Sequence, residues 1–426
     1  MLGVGFGLAV IIGNTIGAGI FRAPGSIAEQ LPTPGAFLLI WLAGGLYALL
    51  GAICLAELGT MIPRSGGQYV FSRYALGEYA GFVVGWSDWI SSCGSTAAVA
   101  LVIGTFAGAL IPALSGNAPG VAAAVAILFA VLQWRGIVWG STIQNVTSLL
   151  KALAFLALIV AAFILGGEGS LTTSQPQTTS IVTVAAVVIS LQAAIYTYDG
   201  WSGVIYFSEE VKHPGRDIPR ALFGGVLTVT AIYLLVNLAL LYVLPISQIA
   251  GKEFAAGEAA NAIFGLHGDT IFRCLTIVSM LSGINALHLM ATRVLFAMSR
   301  DGLFTGRAAA VNEGGTPTVA LFLSALVSVL FIVLGQTFER VITVLAFFFV
   351  ANYILSFISL FVLRRREPEK FRPYRAWGYP VTPALALIGS IAFLAGAIRA
   401  DQRNSVYALL LLAVSYPVFR VIRALR

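Results

Sequence analysis

The stretch Gly13-Asn14-Thr15-Ile16-Gly17-Ala18-Gly19-Ile20-Phe21, "GNTIGAGIF", decides how this chain is read. It lies inside "VGFGLAVIIGNTIGAGIFRAPGSIA" (Val4 to Ala28), an apolar run of membrane-helix length. Each Gly weakens a helix interior by roughly 0.5–1 kcal/mol relative to Ala. Three of them beside an Asn and a Thr predict a helix that is interrupted where it would cross the lipid. The milder reading is that Gly17 and Gly19 only let neighbouring helices pack closely.

The rest of the chain supports the membrane setting. Its 426 residues are 58% hydrophobic and 10% charged, with a mean hydropathy of +0.91. That is too little charge to cover a soluble protein of this size. Lipid tolerates only helices and closed barrels, and these apolar runs are continuous rather than alternating, so helices are expected. The first run lacks a basic leading region and has a polar centre, which argues against a cleavable signal peptide.

Twelve spans are predicted, at about 2–29, 35–62, 76–112, 118–135, 142–166, 180–207, 220–245, 269–299, 317–336, 340–363, 381–398 and 404–422. The connections near 167–179 and 246–268 are the longest and have room for a turn or short helix. With the N-terminus inside, 18 of the 25 Lys and Arg residues fall at cytoplasmic ends, 6 fall outside, and Lys151 falls within a span. This bias puts both termini in the cytoplasm and explains the net charge of +7 without nucleic acid. The chain starts almost at its first helix, so any cytoplasmic leader is expected to be very short or missing. Cys54, Cys93 and Cys274 are scattered and odd in number, so free thiols are expected.

The sixth span repeats the anomaly of the first. "LQAAIYTYDGWSGVIYFSEE" carries Tyr198-Asp199-Gly200-Trp201 and Gly203 at its centre, and an Asp at mid-membrane costs about 2.5–3.5 kcal/mol on insertion scales. Spans 1 and 6 correspond if five helices are repeated, and an odd number per repeat inverts the second copy. Paired interrupted spans in matching positions point to a transporter's central site. Where a helix unwinds, amides at the new N-terminus suit a carboxylate and carbonyls at the new C-terminus suit an ammonium. A zwitterionic amino acid offers both.

Five motifs then carry a resemblance. "GNTIGAGIF", "AELGTMIPRSGGQYVF" (Ala56 to Phe71), "YTYDGWSGVIYFSEEVKHPGRDIPRAL" (Tyr196 to Leu222), "SRDGLF" (Ser299 to Phe304) and "RPYRAWGYPVTP" (Arg372 to Pro383) occur in order across nearly the whole chain. Together they resemble the amino acid–polyamine–organocation (APC) superfamily, in particular the L-type amino acid transporters and their bacterial relatives. The resemblance implies an all-α integral membrane fold with an inverted five-plus-five repeat. Residues 1–166 would form the first repeat, 180–363 the second, and 381–426 two peripheral helices with a short tail. It also implies that the substrate carboxylate meets the amides of Gly17, Ala18 and Gly19. The α-amino group would meet carbonyls near Thr15, Tyr196 and Asp199. Ile16, Thr197, Tyr198 and Trp201 complete the substrate set, and Tyr196 takes the place of an aromatic outer gate.

Lys151 is about two and a half turns into span 5. It either snorkels to the cytoplasmic surface or bridges the broken first helix to span 8. In the L-type group a fifth-span Lys replaces a sodium ion, so the match implies sodium-independent transport. Carbonyls near Gly13 and the hydroxyls of Ser279 or Ser282 are its candidate partners. Three roles are open to Asp199: capping the half-helix after it, attracting a cationic substrate, or exchanging a proton. Asn14 and Asn285 are secondary polar candidates, the latter read mainly as a helix–helix contact. Asp88 and Ser91 in span 3 are pathway candidates whose face one sequence does not orient. Glu57, Glu209 and Glu210 read as inner-gate or loop-anchoring groups.

His213, His267 and His288 have no ligand spacing, and no metal, cofactor or catalytic centre is expected; no H-E-x-x-H, G-x-S-x-G or P-loop pattern occurs. The expected function is sodium-independent transport of small or medium neutral L-amino acids by alternating access, in a cell membrane. The alternative is proton-coupled uptake or antiport of cationic amino acids or polyamines. A membrane enzyme or non-transporting receptor is the remote third reading. Mammalian L-type proteins join a heavy chain through a cysteine in the loop after span 3. Here that loop, "ALSGNAPG" (Ala113 to Gly120), has none, so no disulfide-linked partner is expected. Oligomeric state stays open, and membrane lipid is the other expected contact.

Overall fold

The computed structural model describes residues 3–64, 66–135, 153, 155–166, 169, 182–265 and 267–424. Lys151 and the side chain of Ser282 lie outside the described residues. Among those residues the regular structure is helical, with one isolated antiparallel bridge between Val311 and Pro317.

The first span is two helices. The helix α1 (Val4–Thr15) stops inside "GNTIGAGIF", and α2 (Ala18–Gln30) restarts after Ile16 and an extended Gly17. The two axes meet at 44°. Next come α3 (Pro34–Met61), α4 (Gln68–Leu76), α5 (Glu78–Leu110), α6 (Ala118–Trp134), α7 (Phe155–Leu165) and α8 (Val184–Tyr198). The second half holds α9 (Pro214–Val243), the short α10 (Ile246–Ile249) and α11 (Ala255–Phe264), α12 (Gly268–Arg300), α13 (Thr318–Gly335) and α14 (Phe338–Arg366). It ends with α15 (Val381–Ala400) and α16 (Gln402–Ala424). Among the described residues, eight helices are long and apolar enough to cross a membrane, or nine when α1 and α2 count as one.

Local chemistry explains most boundaries. Pro34 and Pro214 open α3 and α9, where the missing N–H costs nothing. This is why α9 starts six residues before the expected 220. Thr183 and Thr337 cap α8 and α14 by accepting the amides of Ala186 and Arg340. Gly77, at φ +97°, divides α4 from α5, so the third span does not extend back to 76 as one helix. The connection after α9 holds two short helices, α10 and α11.

The centre of the bundle is α5 and α14, each with 72% of its most apolar stretch buried; α15 and α16, at 28% and 22%, pack on the outside. Around this centre α2 packs against α8, while α1 packs against the segment that follows α8. The interrupted helices therefore meet at their breaks.

Candidate functional site

The second break follows the first closely in kind. After Tyr198 the helix ends at Asp199, Gly200 adopts φ +104°, and a 3-10 segment runs over Gly203–Glu210. The positive φ is open to Gly without strain. A Cβ on Gly200 would lie 3.0 Å from the Thr15 nitrogen and from the Asn14 carbonyl carbon, so the two breaks touch through bare backbone. Gly19 does the same on the other side: a Cβ there would sit 2.5 Å from Thr197 Oγ1 and 2.8 Å from Thr197 Cα. Gly17 differs, since a Cβ would meet nothing closer than the Asn14 carbonyl at 3.9 Å.

The breaks open on a cavity. Thr15, Gly17, Ala18, Gly19, Tyr196, Thr197 and Asp199 line it, with Asn14 beside them. The α2 N-terminus carries no side-chain cap, which leaves its first amides as donors toward this space. Other members of the expected set do not line it. Tyr198 turns to α3, donating to the Trp41 carbonyl at 2.9 Å with its ring against Gly44, and Trp201 packs over Gly51 and beside Tyr353. Ile16 is in the core, and neither Ser279 nor Asn285 is among the lining residues. Asn285 accepts Gln133 Nε2 at 2.8 Å, joining α12 to α6, and His288 lies 3.2 Å from the Ala126 carbonyl between the same helices. Both are packing contacts.

Several groups that complete the cavity lie outside the substrate set expected from sequence. Asp88, expected only as a pathway candidate, lines it, and Tyr206 donates to its two carboxylate oxygens at 2.9 and 2.7 Å. Asp199 Oδ1 accepts the Tyr353 hydroxyl at 2.9 Å, while the 3-10 segment has Ser202 at its N-cap position with no side-chain cap. Gln68, Phe349 and Asn352 also line the space. A signal was present in α5: Asp88, Ser91, Ser92 and Ser95 share one helical face by spacing. The pair Asn352-Tyr353 inside "FFFVANYILSF" was another.

One tyrosine joins the breaks directly. Tyr233 of α9, fully buried, donates to the carbonyls of Thr15 at 2.6 Å and Thr197 at 2.9 Å. These are terminal carbonyls of α1 and α8, which lack intrahelical partners. Above the cavity, Tyr196 meets Phe338 edge-on at 5.5 Å and lies near Phe349 at 6.4 Å.

Ion pairs close both ends of the bundle. Arg22 of α2 reaches Glu339 of α14 at 2.9 Å and Glu253 at 3.1 Å. At the opposite ends of α3 and α14, the buried Glu57 takes Arg364 at 2.7 Å, Arg372 at 3.0 Å and the Ala376 amide at 2.7 Å. Arg73 holds Asp301 at 2.7 Å, with Tyr69 on the same carboxylate oxygen. Glu209 and Glu210 are exposed. Cys54 and Cys93 are buried free thiols and Cys274 is an exposed one.

Known proteins share this chain's pattern. Residues 7–419 match the amino acid permease family. The serine/threonine exchanger SteT of Bacillus subtilis (strain 168) is 30% identical, over 98% of this chain and 95% of that protein. The b(0,+)-type amino acid transporter 1 of Homo sapiens is 26% identical, over 88% and 78%. The large neutral amino acids transporter small subunit 2 of Mus musculus is also 26% identical, over 86% and 70%.

Proposed function

The chain belongs to the amino acid permease family, and we propose that it exchanges small or medium neutral L-amino acids across a cell membrane by alternating access, without sodium. It is a multi-pass membrane protein whose relatives are transporters, which removes the enzyme reading. One observation carries the proposal: the uncapped N-terminus of α2, the terminal residues Thr15 of α1 and Thr197 of α8, and Asp199 line one cavity. The substrate carboxylate binds the amides of Gly17, Ala18 and Gly19. Its ammonium binds near the Thr15 carbonyl and the Asp199 carboxylate. Tyr196 closes over it against Phe338.

The architecture that goes with this reading has twelve spans in two inverted repeats, 1–166 and 180–363, with 381–426 peripheral and both termini cytoplasmic. No disulfide-linked partner is part of it. Sodium independence rests on Lys151 in the sequence. Serine and threonine are the first substrates to try, because the relative SteT is named as their exchanger. The cationic-substrate reading is kept for one reason, the two carboxylates Asp88 and Asp199 in the cavity lining.

The test is counterflow in proteoliposomes with a panel of amino acids and polyamines under varied sodium and proton gradients. Exchange of serine or threonine at equal rates with and without sodium is expected. If no α-amino acid exchanges, or transport requires sodium, the proposal fails.

A further inference from the structure

One face of α9 begins with cations. Arg216, Arg220, Phe223 and Leu227 recur at helical spacing, so they share one side of the helix. Arg220 is exposed and forms no ion pair among the described residues. Arg216 is 57% exposed on its side chain and keeps one carboxylate partner, the buried Asp217 at 2.8 Å. Next along this face, Phe223 carries two rings of the 367–380 connection. Trp377 stacks on it at 5.4 Å with 9° between the planes, and Tyr374 leans against it at 5.8 Å. Pro373 closes on Gly215 nearby, where a Cβ would lie 2.6 Å from the proline ring. Arg375, between Tyr374 and Trp377 in sequence, is exposed and also without an ion pair among the described residues.

This platform is preformed. Glu57 holds Arg372 at 3.0 Å and the Ala376 amide at 2.7 Å, which fixes the connection on both sides of Arg375. Stacking still leaves Trp377 65% exposed. Past it, α15 shows Val381, Leu385 and Ile388 along one side, each more than half exposed. The α9 face continues through the exposed Leu227 and Leu235, and α3, which packs against both helices, shows Leu42 and Leu46. From Phe223 to Leu235 α9 rises about 18 Å, slightly more than the roughly 15 Å of hydrocarbon in one leaflet.

Cations at helix ends set topology and interfacial Trp residues anchor many helices. Here the two are fused, because arginines from two separate segments flank a single aromatic platform at the foot of an exposed apolar side. Guanidinium groups suit a phosphate, and an amphipathic ring suits the glycerol level between headgroup and chains. We infer that α9, α15 and the connection before α15 form a binding site for an anionic phospholipid. Its phosphate lies among Arg216, Arg220 and Arg375, its glycerol region lies against Trp377, and an acyl chain runs along the apolar side. The site does not depend on which substrate is carried, and the proposed orientation makes its leaflet the cytoplasmic one.

Native mass spectrometry of the delipidated full chain tests this, by titration with phosphatidylglycerol or phosphatidylcholine of identical acyl chains. Phosphatidylglycerol is expected to bind at least about fivefold tighter to the wild-type protein, and equal affinities overturn the inference whether or not any variant folds. Arg220→Gln combined with Arg375→Gln is expected to weaken phosphatidylglycerol by roughly tenfold or more and to leave phosphatidylcholine unchanged. Arg420→Gln combined with Arg423→Gln removes the same charge from the end of α16 and is expected to change neither. Selectivity that survives the first pair, or falls equally with the second, overturns the assignment to this site. Phosphatidylglycerol should also raise the melting temperature in detergent, and inorganic phosphate should not. A rise with phosphate that the Arg220 and Arg375 changes abolish marks a site for free anions and overturns the lipid. Failure to exchange any amino acid would sink the proposed function and leave these lipid measurements standing.

Discussion

The Tyr233 hydroxyl lies 2.6 Å from the carbonyl of Thr15, and the same oxygen reaches the Thr197 carbonyl at 2.9 Å. One proton is shared between the terminal carbonyls of two interrupted helices. Tyr233→Phe keeps the ring contacts to Trp41 and Tyr198 and removes only this link. The shared hydrogen bond is worth about 0.5–1.5 kcal/mol, so thermal unfolding should show a loss of about that size. Exchange should slow by about tenfold, the equivalent of about 1.4 kcal/mol in the barrier. A Phe variant that exchanges at the wild-type rate would show that the link does not couple the helices.

Gly17 and Gly19 sit two residues apart and should respond differently to a methyl group. At Gly19 the new Cβ would be 2.8 Å from backbone Cα of Thr197, which a rotamer change does not relieve. Gly19→Ala is expected to cost about 1–3 kcal/mol by overpacking and to lower the melting temperature in detergent. Gly17→Ala has open space and should melt like wild type. Its methyl lies beside the proposed carboxylate site, so substrate KM should rise instead. Equal melting temperatures for the two variants would count against the close contact at Gly19.

Glu57 is fully buried with two guanidinium partners and a backbone amide, and Arg372 is itself 2% exposed on its side chain. Removing one member of such a cluster strands the opposite charge and costs about 3–5 kcal/mol. Glu57→Gln should therefore unfold well below wild type, while Glu369→Gln, at an exposed position, should not. If the two variants melt together, the Glu57 cluster is not holding the 367–380 connection.

The sequence shows where backbone fails to be helical, because Gly, Asn and Asp are costly inside an apolar helix and cluster there where it breaks. Thus the end of α1 at Thr15 and the end of α8 at Tyr198 both fall inside motifs chosen for their composition. What it conceals is direction. Tyr198 and Trp201 look like site residues by proximity to Asp199, yet a helical turn carries them to α3. Asp88 and Tyr206 are 118 residues apart and become partners only through packing of α5 beside the second break. Tyr233 gives no local signal at all, since a tyrosine in an apolar helix is ordinary, and its role depends on two carbonyls that only the fold frees.

Arg22 makes the last case. It ties α2 to the start of α14 through Glu339 and to the 252–254 connection through Glu253. Its side chain is 10% exposed, whereas those of Glu339 and Glu253 are 45% and 58% exposed, so each pair is worth no more than about 1 kcal/mol. That is too little to matter for folding but enough to bias an opening equilibrium by up to about fivefold. If α2 and α14 must part for the cavity to open at this end, Glu339→Gln should favour the open form. Ser95→Cys, on the α5 face that lines the cavity, reports it in a Cys274→Ser background, where the remaining Cys54 and Cys93 are buried. Labelling by a membrane-impermeant maleimide should speed up two- to fivefold on adding Glu339→Gln, and added substrate should slow it again. A labelling rate that stays the same or falls would show that the Arg22 pairs brace the helix end without gating the cavity.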